Sequence, residues 1–286
     1  VEKMTDFAVL ILTHGRADCL KTVKTLRRGG YTGRYYLVLD DEDETIDRYR
    51  QLYGDDKIIT FNKQNAIDAT DSMDNFGNRK AIVYARNYSW TVARNLGLRY
   101  FLQLDDDYVD IQYRWIRDGK LKGKTVKDLD KLFDSMVEFL IASDADTVAL
   151  AQGGDFIGGA DGKRFGEGLI RKAMNSFFCR TDRPIDFKGT MNEDVVTYTT
   201  LSSRGHLLFT FTKANIVPLQ TQSLRGGMTE AYLNGGTYLK SFYAVMSMPS
   251  AVVVAPLNSR HPRIHHKISW NCCAPKILNE AYRKGG

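Results

Sequence analysis

Cysteine is scarce: the chain of 286 residues holds only Cys19, Cys179, Cys272 and Cys273, with no C-x-x-C pair among them. Adjacent cysteines rarely bridge each other, so reduced thiols in a cytoplasmic protein are expected rather than a disulfide framework. No stretch approaches the ~18 apolar residues of a membrane span. The opening VEKMTDFAVLIL lacks the basic, apolar, small-residue order of a secretory leader. No block of like charge is present to act as a nucleic-acid tail. The absence of a G-x-x-x-x-G-K-[ST] loop and of a C-x-x-C zinc pattern argues against a P-loop enzyme and a zinc finger. There is no internal repeat, low-complexity tract or clean linker, so one continuous domain is expected, and a monomer.

What is present is an ordinary globular composition. Hydrophobic residues make up 43% of the chain, enough for a sizeable core, and the formal charge is +6. That charge mildly favours a polyanionic partner such as a nucleic acid or a nucleotide.

The first 110 residues alternate between two periodicities. FAVLIL (7–12), RYYLVLD (34–40), KIITFN (57–62) and YFLQL (100–104) read as buried strands. Segments 18–30, 45–54 and 81–98 read as helices between them, and 63–80 as a polar loop. This β-α-β order predicts a parallel, doubly wound sheet, in which ligands collect at the carboxyl ends of the strands. In the second half, 126–143 is an amphipathic helix. Short strands are expected at 146–151, 176–180, 184–189, 206–212 and 250–257, in a more mixed arrangement.

Several polar clusters follow strands directly. Asp105, Asp106 and Asp107 end FLQLDDD, where short carboxylates suit a hard cation such as Mg²⁺ or Mn²⁺; a solvated acidic turn is the alternative. Thr13, His14, Gly15 and Arg16 follow the first strand, where Gly15 lets backbone approach a ligand and Arg16 can pair with phosphate. Asp40, Asp41 and Asp43 end the second strand. They can accept from a base or ribose, or simply favour a helix start. Arg86–Asn87 and Arg94–Asn95 repeat eight residues apart, near one helix face. Asn192, Glu193 and Asp194 precede an apolar helical run, as an N-cap or as a general base. TQSLRGGMTEAY (221–232) reads as a lid or a plain loop. His265, His266 and Lys267 cluster in HPRIHHKISWN.

Taken in order, FAVLILTHGR, VLDDED, VARNLGL, FLQLDDDY and NEDV resemble nucleotide-sugar glycosyltransferases of the GT-A fold. THGR, RKAIVYARN, FLQLDDDY, MNEDVVTY, TQS-x-x-GGMT-x-x-Y and IHHKISW narrow the resemblance to the TET-associated glycosyltransferases. That group includes phage and bacterial enzymes and is related to base J glucosyltransferase. The resemblance implies an α/β, GT-A-like single domain over 1–286. A Rossmann-like parallel nucleotide-binding half (1–110) would adjoin a mixed-sheet acceptor half (111–286).

It further implies transfer of a sugar, glucose foremost, from a UDP-sugar to the hydroxymethyl group of 5-hydroxymethylcytosine or 5-hydroxymethyluracil in DNA, with inversion. A Mn²⁺ or Mg²⁺ ion would be held by Asp105, Asp107 and His265 or His266. Thr13, His14, Gly15, Arg16, Asp40, Asp41, Arg79, Arg86, Arg94, Asp105, Asp106 and Lys267 would bind the donor. Asp194, or Glu193 beside it, would be the catalytic base. Lys163, Arg164, Arg171 and Lys172 are expected on the DNA backbone. Two other readings keep the scaffold: transfer to a polysaccharide or protein, and a DNA-binding module without catalysis.

Overall fold

In FAVLIL every residue is buried, and successive residues enter different cores. Phe7, Val9 and Ile11 join one apolar cluster, and Ala8, Leu10 and Leu12 join the other. Only a strand covered on both faces does this, because side chains alternate across the sheet. β1 (Phe7–Leu12) is therefore central to a three-layer α/β arrangement, seen in a computed structural model that describes residues 6–162, 165–166, 168–219, 229–257 and 262–273.

The elements that complete the parallel half are α1 (Lys21–Arg28), β2 (Arg34–Asp40), α2 (Ile46–Tyr53), β3 (Ile58–Phe61), α3 (Lys63–Asp68), α4 (Val83–Asn95) and β4 (Tyr100–Asp105). Strands β3, β2, β1 and β4 lie side by side, all parallel. The chain winds from β1 through β2 to β3 on one side, then returns to place β4 on the other side of β1. The strand order reverses there, which opens a crevice at the carboxyl ends of β1 and β4.

The second half extends the same sheet with mixed pairing. Its elements are β5 (Tyr108–Arg117), β6 (Lys120–Thr125), α5 (Leu129–Ala142), β7 (Thr147–Ala151), β8 (Leu169–Ile170), β9 (Ser176–Arg180), α6 (Glu193–Ser203) and β10 (Leu208–Pro218). Strand β9 lies antiparallel between β4 and β7, β10 pairs parallel with β7, and the β5–β6 hairpin closes the edge. Then come α7 (Thr229–Ser247), a separate ribbon of β11 (Val252–Leu257) and β12 (Arg263–Ile268), and α8 (Trp270–Cys273). Leu129, Phe133, Met136 and Leu140 of α5 and Val23 and Leu26 of α1 cover one face of the sheet. Trp90 and Val92 of α4 and Val195 and Tyr198 of α6 belong to the other core. No described helix is long and apolar enough to cross a membrane.

Three expectations are corrected. PIDFKG (184–189) joins no strand. Its backbone is paired by a side chain instead: Asn87 Oδ1 accepts from Phe187 N at 2.9 Å, and Asn87 Nδ2 donates to Phe187 O at 2.9 Å. The loop at 63–80 begins with α3, started by Asn62, whose side chain accepts from Asn65 N. Residues 108–125, left without an element by the sequence, form the β5–β6 hairpin.

Candidate functional site

The loop after β1 is held by hydrogen bonds from three elements. Tyr49 of α2 donates its hydroxyl to Thr13 Oγ1 (2.8 Å), which in turn donates to Asp106 Oδ2 (2.7 Å); Tyr49 also accepts from Arg16 N (2.8 Å). Gly15 has φ +66° and donates its amide to Asp43 Oδ2 at 2.7 Å. Asp43 thus fixes the turn, a role that its place among helix-start acids hid. Nothing lies within 4 Å of where a Gly15 side chain would begin, so its backbone is approachable.

Asp40 is buried at the end of β2 and accepts from His14 Nδ1 (2.9 Å) and Lys63 Nζ (3.1 Å). Burial alone would raise its carboxyl, but the His14 hydrogen bond and the Lys63 charge outweigh that and bring it down to about 2. The same pairing raises His14. Lys63 is one residue that the sequence reading missed. It follows the polar Asn62 in what read as a loop, yet its ammonium is buried 5.3 Å from the Tyr84 ring. Asp41 is exposed and accepts from Lys63 N (2.8 Å) and Asn62 Nδ2 (2.7 Å), tying β2 to the start of α3.

The three aspartates separate into three roles. Asp106 is buried and structural: its carboxylate takes Thr13 and Arg16 Nη1 (2.8 Å), and its carbonyl accepts from Lys21 N and Thr22 N at the start of α1. Asp105 accepts from Arg86 Nη2 (3.1 Å) and the Tyr108 hydroxyl (3.1 Å). Burial raises its carboxyl, with Arg86 acting against that. Asp107 is half-buried, and burial together with the neighbouring Asp105 and Asp106 charges pushes it up to about 7, against the pull of Arg16 and a backbone hydrogen bond. It is the acid in the trio whose charge the protein least compensates.

Facing them is the start of α6. Asn192 adopts a left-handed conformation (φ +58°), turning the chain so that Glu193 and Asp194 open the helix. Glu193 Oε1 accepts from Arg86 Nε at 2.9 Å. Asp194 is buried, and burial plus the Glu193 charge raises it to about 6 against the pull of Lys240 and Arg86. Arg86 therefore joins the two acidic groups. Its side chain is 2% exposed, and its guanidinium lies 5.0 Å from the Phe177 ring.

His266 Nδ1 lies 3.3 Å from Asn192 Nδ2, so β12 reaches the α6 start from the far side. Burial and the charges of His265, Lys240 and Lys172 hold His266 down to about 3, a neutral imidazole. Among the described residues no three His, Cys, Asp or Glu side chains gather as a metal-holding group. The structure thus does not bring His265 or His266 together with Asp105 and Asp107. Asn192 and the Arg86–Glu193 pair link the one group to the other.

Other expected residues lie elsewhere. Arg86 is committed to Glu193 and Asp105 rather than offered to a diphosphate. Arg94 is exposed at the opposite end of α4, about 12 Å further along the helix axis and beside the start of β4. Arg79 pairs with Glu42 and donates to Gln64 Oε1 at 2.8 Å. Lys267 is exposed opposite Val253. Lys172 is buried and paired with Asp155, so it does not reach a DNA backbone. Arg171 is half-buried 5.8 Å from the Phe209 ring. Lys163, Arg164 and residues 221–228 lie outside the described residues. Tyr108, which donates to Asp105 Oδ2 and to the Asn175 carbonyl, went unnoticed because a tyrosine after a strand carries no signal of its own.

A search of curated protein sequences gives no match. Among solved structures, glucosyl-3-phosphoglycerate synthase from Mycobacterium tuberculosis, in complex with Mn²⁺, UDP and phosphoglyceric acid, is 9% identical at a TM-score of 0.44, covering 92% of this chain and 86% of that one. Mannosyl-3-phosphoglycerate synthase from Rubrobacter xylanophilus is 10% identical at 0.44, with coverages of 92% and 86%. The family model for TET-associated glycosyltransferases matches residues 7–227. That span includes the β1 loop, the β2 acids, the three aspartates and the α6 start, and the chain belongs to the TET-associated glycosyltransferase family.

Proposed function

We propose that this glycosyltransferase moves a sugar, glucose foremost, from a UDP-sugar to the hydroxymethyl group of 5-hydroxymethylcytosine or 5-hydroxymethyluracil in DNA. One observation carries the reading. A poorly compensated carboxylate (Asp107) and a buried carboxylate raised to about 6 (Asp194) lie on two acidic segments that Arg86 ties together. The first suits a donor site and the second a proton acceptor.

The residues present fit a divalent metal. Asp107 and Asp105 offer hard oxygen ligands at a place short of positive charge, and such ions commonly take one or two carboxylates plus substrate phosphates. Asp105 and Asp107 would hold Mn²⁺ or Mg²⁺, which when bound offsets charge on the departing diphosphate. Arg16, 23% exposed and anchored on Asp106, presents its remaining N–H groups to the phosphates. Asp40, His14 and the approachable Gly15 backbone form the nucleoside side.

Asp194 takes the proton from the acceptor hydroxyl as that oxygen attacks the sugar. A pKa near the working pH is what a general base needs. A single base opposite the leaving group gives inversion. The hydroxymethyl group is inaccessible in a stacked duplex, so the base is taken up flipped out or from a single strand. The family resemblance implies this acceptor, and the +6 charge suits a polyanion.

Mass spectrometry of hydroxymethylated DNA, incubated with a panel of UDP-sugars and Mn²⁺ or Mg²⁺, reports donor and acceptor together. A mass increase of one hexose on the modified base is expected. UDP release with glycan or protein acceptors, and none with this DNA, would overturn the acceptor.

A further inference from the structure

The β5–β6 hairpin has two unlike faces. Cross-strand register pairs Tyr113 with Lys124, Trp115 with Lys122 and Arg117 with Lys120, which puts these six side chains on one face. All six are exposed, Tyr113 at 41% and Trp115 at 38%. The other face is partly covered, with Ile116 near the turn left 44% exposed. Arg114 lies 4.8 Å from the Phe156 ring, the short turn Gly159–Asp161 lies against β6, and a side chain at Gly123 would strike Arg114 Nη1 at 2.5 Å. Asp110 is spent towards that covered face, accepting from Gln112 Nε2 and Thr125 Oγ1. Asp118 at the turn, 3.7 Å from Arg117, and Asp128 near Tyr113 are the acids beside the open face.

Lysines on an edge strand also discourage strand addition. That role does not call for two exposed aromatic rings among four cations. Cations spaced two residues apart on a strand, about 6.6 Å, with rings beside them on the neighbouring strand, combine the two elements of single-strand binding. These are charge that follows the phosphates and flat surfaces on which bases stack. The apolar groups of this face are Tyr113 and Trp115 alone, and the exposed Ile116 lies on the opposite face, so no continuous apolar surface is offered to a lipid layer. Its position fits the catalytic edge, because β5 starts at Tyr108, directly after the aspartates, and Tyr113 is about 16 Å further along the strand.

We infer that the Tyr113, Trp115, Arg117, Lys120, Lys122 and Lys124 face of the hairpin binds single-stranded DNA beyond the acceptor base. The phosphates lie on the cations, and the bases stack on Trp115 and Tyr113. This inference rests on the DNA reading above.

Fluorescence anisotropy of an unmodified single-stranded 20-mer, titrated at 50 and 200 mM salt, tests it. For the wild-type chain a steep salt dependence is expected. K120A/K122A/K124A should bind roughly 10- to 100-fold more weakly, with a salt slope lower by about two. W115A should bind roughly fivefold or more weakly with an unchanged slope. R48A/R50A/R99A removes as much charge from exposed arginines elsewhere and should bind like wild type. Circular dichroism confirms that each variant is folded. If the lysine variant binds like wild type, or the two triple variants lose equally, the hairpin inference is overturned while the DNA reading stands. If wild type binds the single strand at neither salt, the hairpin inference is overturned, and the DNA reading is decided separately by the mass-spectrometric assay. Binding of anionic vesicles through this face, without DNA binding, would likewise overturn the hairpin inference.

Discussion

Arg86 is the residue on which both acidic segments depend. Its guanidinium reaches Glu193 through Nε and Asp105 through Nη2 from a buried position. Removing one partner of a buried ion pair leaves the other charge uncompensated, at a cost of roughly 3–5 kcal/mol. Arg86→Met should therefore lower the unfolding free energy by about 3 kcal/mol in urea titrations. Arg86→Lys should recover only part of it, because an ammonium is a point charge and cannot fork to two carboxylates. If the Met variant is as stable as wild type, the two ion pairs contribute nothing net. Asp194 gives a second test. Its carboxyl is raised to about 6, so below that pH it carries a proton and cannot accept another. The transfer rate should rise about tenfold per pH unit up to about 6 and then level. Asp194→Asn should cost roughly 10²–10⁴-fold. A pH–rate profile without that acid limb would remove Asp194 from the role.

Among the elements, the segment 184–189 shows how a side chain can stand in for a strand. Asn87 gives Phe187 both hydrogen bonds that a sheet neighbour would. Asn87→Ala leaves a backbone N–H and C=O without these partners, so a loss of about 2 kcal/mol is expected. Faster hydrogen exchange at the Phe187 amide, with exchange in β4 unchanged, would report it locally. This segment also marks where sequence patterning stops being informative. Strand β1 was legible because all six of its residues are apolar, and β4 because four apolar side chains lead into the acids. PIDFKG has a strand-like composition, but its pairing comes from a residue 100 positions away. The β5–β6 hairpin has the opposite problem, since an open face of cations and aromatic rings lacks the apolar–polar alternation of a half-buried strand. At the site, the acids at strand ends were legible from their placement. Their division of labour was not, because it depends on which one meets Thr13 and Arg16, which one meets Arg86, and which one meets neither.

At the scale of the whole molecule, two carboxylates set opposing pH dependences. Asp40 is lowered to about 2, so its contribution to stability is present above the ordinary carboxyl value near 3.8 and is lost as pH falls through about 2. Asp107 is raised to about 7, so the native state holds its proton more tightly than the unfolded chain does. Its contribution is present in full below about 3.8 and is lost as pH rises through about 7. A divalent ion reverses the second effect, because it binds the deprotonated carboxylate and only the folded arrangement presents Asp105 beside it. In chelator, thermal unfolding midpoints should therefore fall from pH 5 to pH 8. Mn²⁺ should raise the midpoint at pH 8 and much less at pH 5. An ion at one hundred times its dissociation constant adds about 2.7 kcal/mol. Asp107→Asn removes the titrating group, so its midpoint should vary less between pH 5 and pH 8 and should respond weakly to Mn²⁺. An equal Mn²⁺ response in Asp107→Asn would show that the ion binds elsewhere. The pH dependence in chelator would still test the Asp107 charge by itself, separating the electrostatics of the fold from the identity of the metal site.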